Sequence, residues 1–183
     1  MSANGAGRTP VVVLVGPPGS GKTTVAGLLA ARLGRSVRDT DADVEARADQ
    51  SVADLFVGEG EAVFRDLEEQ AVARALSEHD GVLALGGGAV LRDSTRRRLA
   101  DHRVVFLDVG LAASASRVGL GVSRPLLLGN VRGQLHSLLA QRRPLYEEVA
   151  TWTVGTDDRT AEEVADAVLE LLGSDPSTGA DSG

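Results

Sequence analysis

The 183-residue chain has no cysteine, only one lysine and no long apolar run. Without a thiol it can form no disulfide, zinc ribbon, iron–sulfur site or cysteine nucleophile, and a reducing cytoplasm is compatible with it. No uninterrupted apolar stretch approaches the ~20 residues of a membrane-spanning helix, and the N-terminus lacks the charged-then-apolar layout of a secretory signal. We therefore expect a cytoplasmic protein that does not enter a membrane.

Positive charge is also scarce. The chain carries 19 Lys and Arg against 26 Asp and Glu, a formal net charge of −7. A field of this sign repels nucleic acid and anionic membrane surfaces, so we expect neither as a partner. The length and the 43% hydrophobic content suffice for one globular domain with a real core. We expect a monomer with one domain over residues 10–173, between disordered tails at 1–9 and 174–183.

Short apolar, β-branched runs alternate with helical patterns along the chain. The predicted strands are Val11–Val15, Val37–Arg38, Val82–Leu85, Val104–Asp108 and Trp152–Val154. The predicted helices are Thr23–Leu33, Asp43–Ala48, Val52–Val57, Glu61–Ser77, Ser94–Ala100, Ala112–Arg117, Val131–Arg142 and Ala161–Leu172. Because the strand patterns are continuously apolar rather than alternating, both faces of the strands should be buried. The sequence therefore predicts an α/β fold with a parallel sheet covered by helices.

A glycine-rich segment, Gly16–Thr23 (GPPGSGKT), joins the first predicted strand to the first predicted helix. It is the GxxxxGK[ST] phosphate-binding motif in its strand–loop–helix setting. Such a turn directs backbone N–H groups at phosphate oxygens, while Lys22 reaches the β- and γ-phosphates and the Thr23 hydroxyl can ligate Mg²⁺. Lys22 is the one lysine beside 18 arginines, which indicates a site that needs a compact ammonium. We predict binding of a Mg²⁺–nucleoside triphosphate.

Two other classes of P-loop protein are disfavoured. A GTPase reads guanine with an Asn-Lys-x-Asp element, which cannot occur in a chain whose single lysine lies in the phosphate loop. A large ATP-driven machine is hard to build in 183 residues. A small-molecule kinase fits the size.

Acidic residues follow the second predicted strand, at the end of the sheet where α/β proteins bind ligands. One carboxylate of Asp39 and Asp41 can hold a Mg²⁺-bound water while the other accepts the proton of an acceptor hydroxyl. Asp41 or Asp43 could instead cap the next helix, and Asp43 is the better candidate for a cap. Asp108, which closes a hydrophobic strand, competes with Asp39 for the metal, and we favour Asp39.

Other features could complete an acceptor site. Three glycines at 86–88 follow a buried strand and leave open backbone against which a small polar ligand could lie. Arg65 is either a helix-surface residue paired with Asp66, Glu68 or Glu69, or a ligand for a substrate carboxylate. Arg142 or Arg143, before the proline at which a helix should end, could clamp a carboxylate in a bidentate manner. The segment around Arg124 reads as a lid that delivers an arginine to the transferring phosphoryl group, or as a plain loop.

Together these segments resemble the shikimate kinase family over residues 10 to 172. The motifs that carry the resemblance are Gly16–Thr24 (GPPGSGKTT), Asp39-Thr40-Asp41, Phe64-Arg65, Leu85–Val90 (LGGGAV), Arg124–Leu127 (RPLL) and Arg142–Tyr146 (RRPLY). The family implies an adenylate-kinase-like P-loop NTPase fold, three-layer α/β/α with a parallel five-stranded sheet and a lid at about 118–129. It also implies transfer of the ATP γ-phosphoryl group to the 3-hydroxyl of shikimate, giving shikimate 3-phosphate and ADP in chorismate and aromatic amino acid biosynthesis.

The resemblance implies a role for each candidate residue. The nucleotide would be bound by Gly19, Ser20, Gly21, Lys22, Thr23, Thr24, Arg117 and Arg124, with Arg117 stacked on adenine. Mg²⁺ would be held by Thr23 and, through water, by Asp39. Shikimate would be bound by Asp41, Arg65, Gly86, Gly87, Gly88 and Arg142. Lys22, Asp41 and Arg124 would be catalytic, with Asp41 accepting or orienting the proton of the acceptor hydroxyl.

The sequence departs from the family pattern in two places. The adenine loop, Thr156-Asp157-Asp158-Arg159, is more acidic than the family pattern, from which we expect a different nucleotide preference. Leu120 and Val122 make the lid interior more apolar than the family pattern. Three alternatives stay open. The nearest is another small-metabolite kinase, such as a gluconate kinase. A nucleoside monophosphate kinase is disfavoured because no base-reading domain is visible. A non-catalytic nucleotide-binding protein is disfavoured because the phosphate-loop, acidic and lid residues are all retained.

Overall fold

One parallel sheet organises the chain, of which the computed structural model describes residues 9–119 and 131–175. Its strands are β1 (Val12–Val15), β2 (Val37–Asp39), β3 (Val82–Ala84), β4 (Val104–Asp108) and β5 (Trp152–Gly155). They are ordered β2-β3-β1-β4-β5, and every neighbouring pair is parallel. The predicted five-stranded parallel sheet is therefore confirmed. The predicted lid residues 120–129, with Arg124, lie outside the described residues, as do the tail residues 1–8 and 176–183.

Helices connect the strands and cover both faces of the sheet. They are α1 (Lys22–Leu33), α2 (Thr40–Ala48), α3 (Val52–Gly58), α4 (Glu61–Glu78), α5 (Asp93–Leu99), α6 (Leu111–Gly119), α7 (Val131–Val149) and α8 (Ala161–Ser174). Local chemistry sets several ends: α8 begins with a capping box between Thr160 and Glu163, and α1 ends at Gly34 in the left-handed region. Among the helices in the described ranges, none combines the length and apolar character that a bilayer span requires.

The three layers follow from the alternation of side chains along the buried strands. Val12 and Leu14 of β1 pack with apolar residues of α1 and α8 on one face of the sheet. Val13 and Val15 pack with residues of α4, α5 and α7 on the other face. A third, smaller apolar cluster joins α2, α3 and α4 and contains Val44, Leu55, Phe64 and Ala71. The segment α2–α4 therefore has a core of its own beside the sheet edge where β2 ends.

The start of α2 differs from the prediction. The helix begins at Thr40 rather than Asp43, because the Asp39 side chain accepts a hydrogen bond from the Asp41 backbone N–H at 2.9 Å and caps the helix. The alternative in which Asp41 or Asp43 caps this helix is therefore wrong, and Asp43, the better candidate for a cap, lies inside the helix. Its carboxylate instead pairs with Arg38, with Nε and Oδ2 2.7 Å apart.

The end of α7 also differs. The helix was expected to stop at Arg142 because a proline follows, but it continues through Pro144 to Val149. Proline costs the helix one backbone hydrogen bond, so packing must compensate for the loss. Tyr146 provides that packing: its side chain is buried and its ring stacks on Phe106 with centroids 5.0 Å apart. Tertiary contact thus overrides the local signal.

Gly81, just before β3, has no room for a side chain. A Cβ there would lie 2.1 Å from the carbonyl oxygen of Ser36, which accepts a hydrogen bond from the N–H of Val82. We expect Gly81→Ala to lower the free energy of unfolding by about 1–3 kcal/mol. Gly27→Ala in α1 is the matched control, since a Cβ there meets nothing within 4 Å. It should raise the free energy of unfolding by roughly 0.5–1 kcal/mol, and urea denaturation that moved both variants in the same direction would contradict this account.

Candidate active site

A cavity of about 630 Å³ opens at the carboxyl ends of β1, β2 and β3. The phosphate loop and α1 line one end of it, and α2, α4 and the triple glycine line the other. The predicted site residues in its lining are Gly19, Gly21, Lys22, Thr23, Thr24, Asp39, Asp41, Arg65, Gly87, Gly88, Arg117 and Arg142. Ser20 and Gly86 lie directly behind the lining, against Lys22 and Asp41 respectively. The structure thus brings together every predicted site residue that it describes.

The phosphate loop takes its shape from backbone conformations that only glycine adopts readily. Gly19 and Gly21 have φ of 77° and 87°, and a Cβ at Gly19 would lie 3.1 Å from the carbonyl oxygen of Ser114 on α6. The Ser114 hydroxyl, which is buried, donates to the carbonyl of Pro18 at 2.9 Å. Helix α6 therefore holds the loop against the N-terminus of α1, where the helix dipole favours a bound anion.

Lys22 lies folded against this loop. Its ammonium donates to the carbonyl oxygens of Gly16 at 2.6 Å and Pro17 at 3.1 Å. Burial lowers the pKa of Lys22 to about 8, while the carboxylates of Asp41 and Asp39 act in the opposite direction. The fold thus places a poorly solvated positive charge where an anion entering the loop would meet it.

Asp41 lines the cavity, and its carboxyl group lies against Gly86. Burial raises its pKa to about 6, and the charges of Asp39 and Glu68 push it in the same direction, against the pull of Lys22. Its Oδ1 lies so close to Gly86 that a Cβ there would stand 2.4 Å away. A carboxylate whose pKa lies near neutrality can accept a proton from a hydroxyl at physiological pH.

Arg65 is mostly buried rather than exposed on the helix surface, so that part of the surface interpretation is wrong. The pairing with Glu68 that it offered is present. The guanidinium is 11% exposed and bonds to Glu68, itself 2% exposed, with Nη1 and Oε2 2.6 Å apart. Within the described ranges, Arg65 Nε and Glu68 Oε1 have no hydrogen-bond partner. A Cβ at Gly88 would overlap the guanidinium, 2.1 Å from Nη1. The triple glycine therefore leaves space for charged groups carried by α2 and α4.

The two arginines before Pro144 have different surroundings. Arg142 lines the cavity, with Nη1 3.6 Å from where a Cβ of Gly87 would stand. Arg143 lies about 100° further round the helix and forms two 2.8 Å hydrogen bonds to Asp108. Of the two, Arg142 is thus the one whose side chain lines the cavity. Asp108, the expected competitor for the metal, is bound by Arg143 and does not line the cavity.

Arg117 joins the phosphate loop to the loop after β5. Its Nη1 donates to the carbonyl of Gly19 at 3.0 Å and its Nη2 to the carbonyl of Thr156 at 3.1 Å. The next residue, Asp157, accepts a hydrogen bond from the N–H of Gly110 at 2.9 Å. One of the unexpected acidic residues therefore ties two loops together at this end of the cavity.

The cavity offers few metal ligands. No group of three or more His, Cys, Asp or Glu that could hold a metal occurs within residues 9–119 and 131–175. Thr23 and Asp39 both line the cavity, and one oxygen of Asp39 caps α2. Mg²⁺ usually keeps several waters and takes one or two carboxylates together with substrate phosphates, so this sparse set of donors fits it.

Three residues support the site that the sequence reasoning did not place there. Glu68 holds Arg65, the Tyr146 hydroxyl donates to the carbonyl of Gly87 at 2.5 Å, and Thr40 Oγ1 accepts from the N–H of Gly86 at 3.1 Å. The spacing of three between Arg65 and Glu68 on α4 was a usable signal. Thr40 and Tyr146 belong to motifs quoted above, but the sequence does not show their hydrogen bonds, since the partners are 46 and 59 residues away.

Comparisons with known sequences agree on one family. The family model described as shikimate kinase matches residues 18–173. The chain is 58% identical over 163 residues to a shikimate kinase of Salinispora arenicola, an alignment that covers 89% of this chain and 98% of the relative. It is 54% identical over 172 residues to a shikimate kinase of Saccharopolyspora erythraea, with 93% and 98% covered.

Solved structures show the same likeness. A shikimate kinase from Acinetobacter baumannii in complex with shikimate superposes with a TM-score of 0.85 and 36% identity, over 91% of this chain and 93% of that one. A deoxyadenosine kinase from M. mycoides with bound dCTP gives a TM-score of 0.64 at 14% identity, over 90% and 99%. The second likeness concerns the fold alone.

Because the pKa of Asp41 is raised, its ionised carboxylate lowers the free energy of unfolding at neutral pH. Because the folded form binds this proton more tightly than the unfolded chain, stability from this group falls as pH rises from about 4 to about 6. Asp41→Asn should therefore raise the free energy of unfolding by about 1–3 kcal/mol at pH 7.5, and the gain should shrink towards pH 4. Urea denaturation at several pH values measures it.

Asp43→Asn is the control, because it makes the same chemical change in the same helical turn but removes an ion pair to Arg38. It should give no gain at pH 7.5. If Asp41→Asn is no more stable than the wild type at this pH, the ionised Asp41 carboxylate does not destabilise the folded state.

Proposed function

The chain belongs to the shikimate kinase family, and from that membership we propose that it transfers the γ-phosphoryl group of ATP to the 3-hydroxyl of shikimate, giving shikimate 3-phosphate and ADP. It is an ATP-dependent kinase by family. The observation that carries the acceptor side is the cavity in which a phosphate loop, a buried carboxylate and two arginines meet. The product lies on the route to chorismate and the aromatic amino acids.

The acceptor end of the cavity matches the chemistry of shikimate, a small ring that bears a carboxylate and hydroxyls. Arg65 and Arg142 supply guanidinium groups suited to bidentate binding of the carboxylate. Gly87 and Gly88 offer backbone without side chains against which the ring can lie. Because Glu68 fixes one edge of the Arg65 guanidinium, little side-chain entropy is lost when the carboxylate binds.

Asp41 is the proposed proton acceptor. The 3-hydroxyl oxygen attacks the γ-phosphorus, its proton passes to the Asp41 carboxylate, and the bond from the γ-phosphorus to the bridging oxygen breaks to release ADP. Lys22 would exchange its hydrogen bonds to the Gly16 and Pro17 carbonyls for phosphate oxygens. Phosphoryl transfer needs mainly positioning and charge neutralisation, which this arrangement provides.

Further roles are proposed for residues at the nucleotide end. Thr23 and Asp39 would hold Mg²⁺, which neutralises phosphate charge when bound. Arg117, at the edge between the phosphate loop and Thr156, would stack on adenine. Arg124, outside the described residues, would reach the transferring phosphoryl group.

One chain by itself brings the phosphate loop, Asp41 and both arginines together in one cavity. We therefore propose that the working unit is a monomer. ATP is supplied inside the cell, which supports a cytoplasmic site of action.

An ADP-release assay with MgATP tests the function directly, with shikimate, gluconate or no acceptor under the same conditions. We expect ADP formation that depends on shikimate and that gluconate cannot replace. Turnover with gluconate alone would overturn the assignment of shikimate as acceptor. It would leave the prediction of nucleotide binding at the phosphate loop intact. ATP binding without turnover on either acceptor would indicate a non-catalytic nucleotide-binding protein.

Two variants sharpen that assay. Asp41→Asn should keep the ATP affinity of the wild type and lose about 100-fold or more in kcat, because the proton acceptor is gone. Asp43→Asn should keep its turnover, since this carboxylate faces Arg38. Unchanged kcat in Asp41→Asn would remove Asp41 from the mechanism.

Arg65→Lys tests the carboxylate site without leaving Glu68 unpaired. A lysine keeps the charge but cannot form a bidentate fork, so the KM for shikimate should rise by about 10-fold while the KM for ATP stays within about twofold. Arg92→Lys is the matched control, because Arg92 pairs with Asp66 at the surface. An equal rise of both KM values in Arg65→Lys would indicate a structural arginine.

A further inference from the structure

Arg143 and Asp108 form a bidentate pair that the proposed chemistry does not use. Nη1 bonds to Oδ1 and Nη2 to Oδ2, both at 2.8 Å. The same guanidinium lies over the ring of Phe106, 5.9 Å from its centroid. Asp108 and Phe106 both belong to β4, the strand beside β1. These contacts fasten one turn of α7 to the end of a central strand.

That turn of α7 is intrinsically weak. Pro144 lies inside the helix and has no N–H for the bond to the preceding turn. Its ring also disfavours the helical conformation for the residue before it, which is Arg143. Helical geometry here must therefore be imposed from outside the helix. Arg142, which faces the cavity, sits in the same turn.

Two ties to the sheet flank this weak point. The first is the Arg143–Asp108 pair. The second is Tyr146, whose hydroxyl donates to the carbonyl of Gly87 at 2.5 Å and whose ring stacks on Phe106. Arg143 also bonds to Glu147 at 2.9 Å, but that exposed pair lies within α7 and cannot fix the helix against anything else. The first two contacts hold the turn that carries Arg142 against β4 and Gly87, although the Arg143 side chain is half-exposed.

We propose that Arg143, through Asp108, is a positioning residue that sets the rotation of α7 about its axis and so places the Arg142 guanidinium against the acceptor carboxylate. This inference rests on the proposed function, because it concerns the acceptor subsite of that reaction. It also gives Asp108 a role as an anchor for α7 instead of a metal ligand. A misplacement of about 1 Å in a positioning group is enough to weaken binding or turnover measurably.

Steady-state kinetics of Arg143→Met, Asp108→Ala and the double variant test the proposal. Methionine keeps much of the apolar stem of arginine and removes the fork. We expect each single change to raise the KM for shikimate by about 5- to 20-fold, with the KM for ATP and the Mg²⁺ concentration for half-maximal rate within about twofold. The double variant should be no worse than either single one, because both break the same contact.

Matched controls come from the same helix. Glu147→Gln removes the other partner of Arg143, and Glu148→Gln removes the ion pair between α7 and Arg96. Both should leave the KM for shikimate unchanged. Arg143→Lys keeps the charge and one hydrogen bond, so its KM for shikimate should lie between those of the wild type and Arg143→Met. If the larger changes prevent folding, as thermal unfolding would show, Arg143→Lys alone decides the question.

These measurements distinguish failure of the positioning role from failure of the proposed function. Wild-type values in all the Arg143 and Asp108 variants, additive effects in the double variant, or equal rises in both KM values would overturn the positioning role alone. A raised Mg²⁺ requirement in Asp108→Ala without a change in the KM for shikimate would make Asp108 a metal ligand and also overturn it. No shikimate-dependent turnover in the wild-type chain would overturn the proposed function and this inference with it.

Discussion

Opposite charges held close together in a partly buried cavity are the constraint on which the rest of this structure depends. Lys22, Arg65 and Arg142 supply the positive side, and Asp39, Asp41 and Glu68 supply the negative side. Each group would be costly to bury alone. Their mutual attraction offsets part of the desolvation cost. The offset is incomplete, since burial still lowers the pKa of Lys22 and raises that of Asp41. The site is thus poised to accept further charged groups.

The surrounding fold keeps these charges at fixed separations. The triple glycine removes three side chains where Asp41, Glu68 and Arg65 approach the end of β3. Helix α6 holds the phosphate loop through Ser114, and the small core of α2–α4 carries the acidic and basic residues of the acceptor end. A solved structure shares this fold at 14% identity, so the fold alone does not determine these local contacts.

Features encoded by neighbouring residues could be predicted from the sequence, and features that depend on distant contacts could not. The phosphate loop, the acidic pair after β2 and the triple glycine each occupy a few consecutive positions, so composition and spacing reveal them. Asp41 and Asp43 were the candidate caps of α2, whereas Asp39, which pairs with Ala84 in the sheet, accepts the capping hydrogen bond. The extension of α7 past Pro144 depends on Tyr146 packing against Phe106, 40 residues away along the chain.

Because the chain uses arginine for nearly all its positive charges, Lys22 differs chemically from every other basic residue. It is the sole side-chain amine of the protein, and the burial that lowers its pKa to about 8 also enlarges the fraction of free, nucleophilic amine near neutral pH. Guanidinium groups stay protonated and resist acylating reagents under the same conditions. Amine-directed acylation, which modifies many positions in most proteins, therefore has a single side-chain target here, and that target lies in the glycine-rich loop.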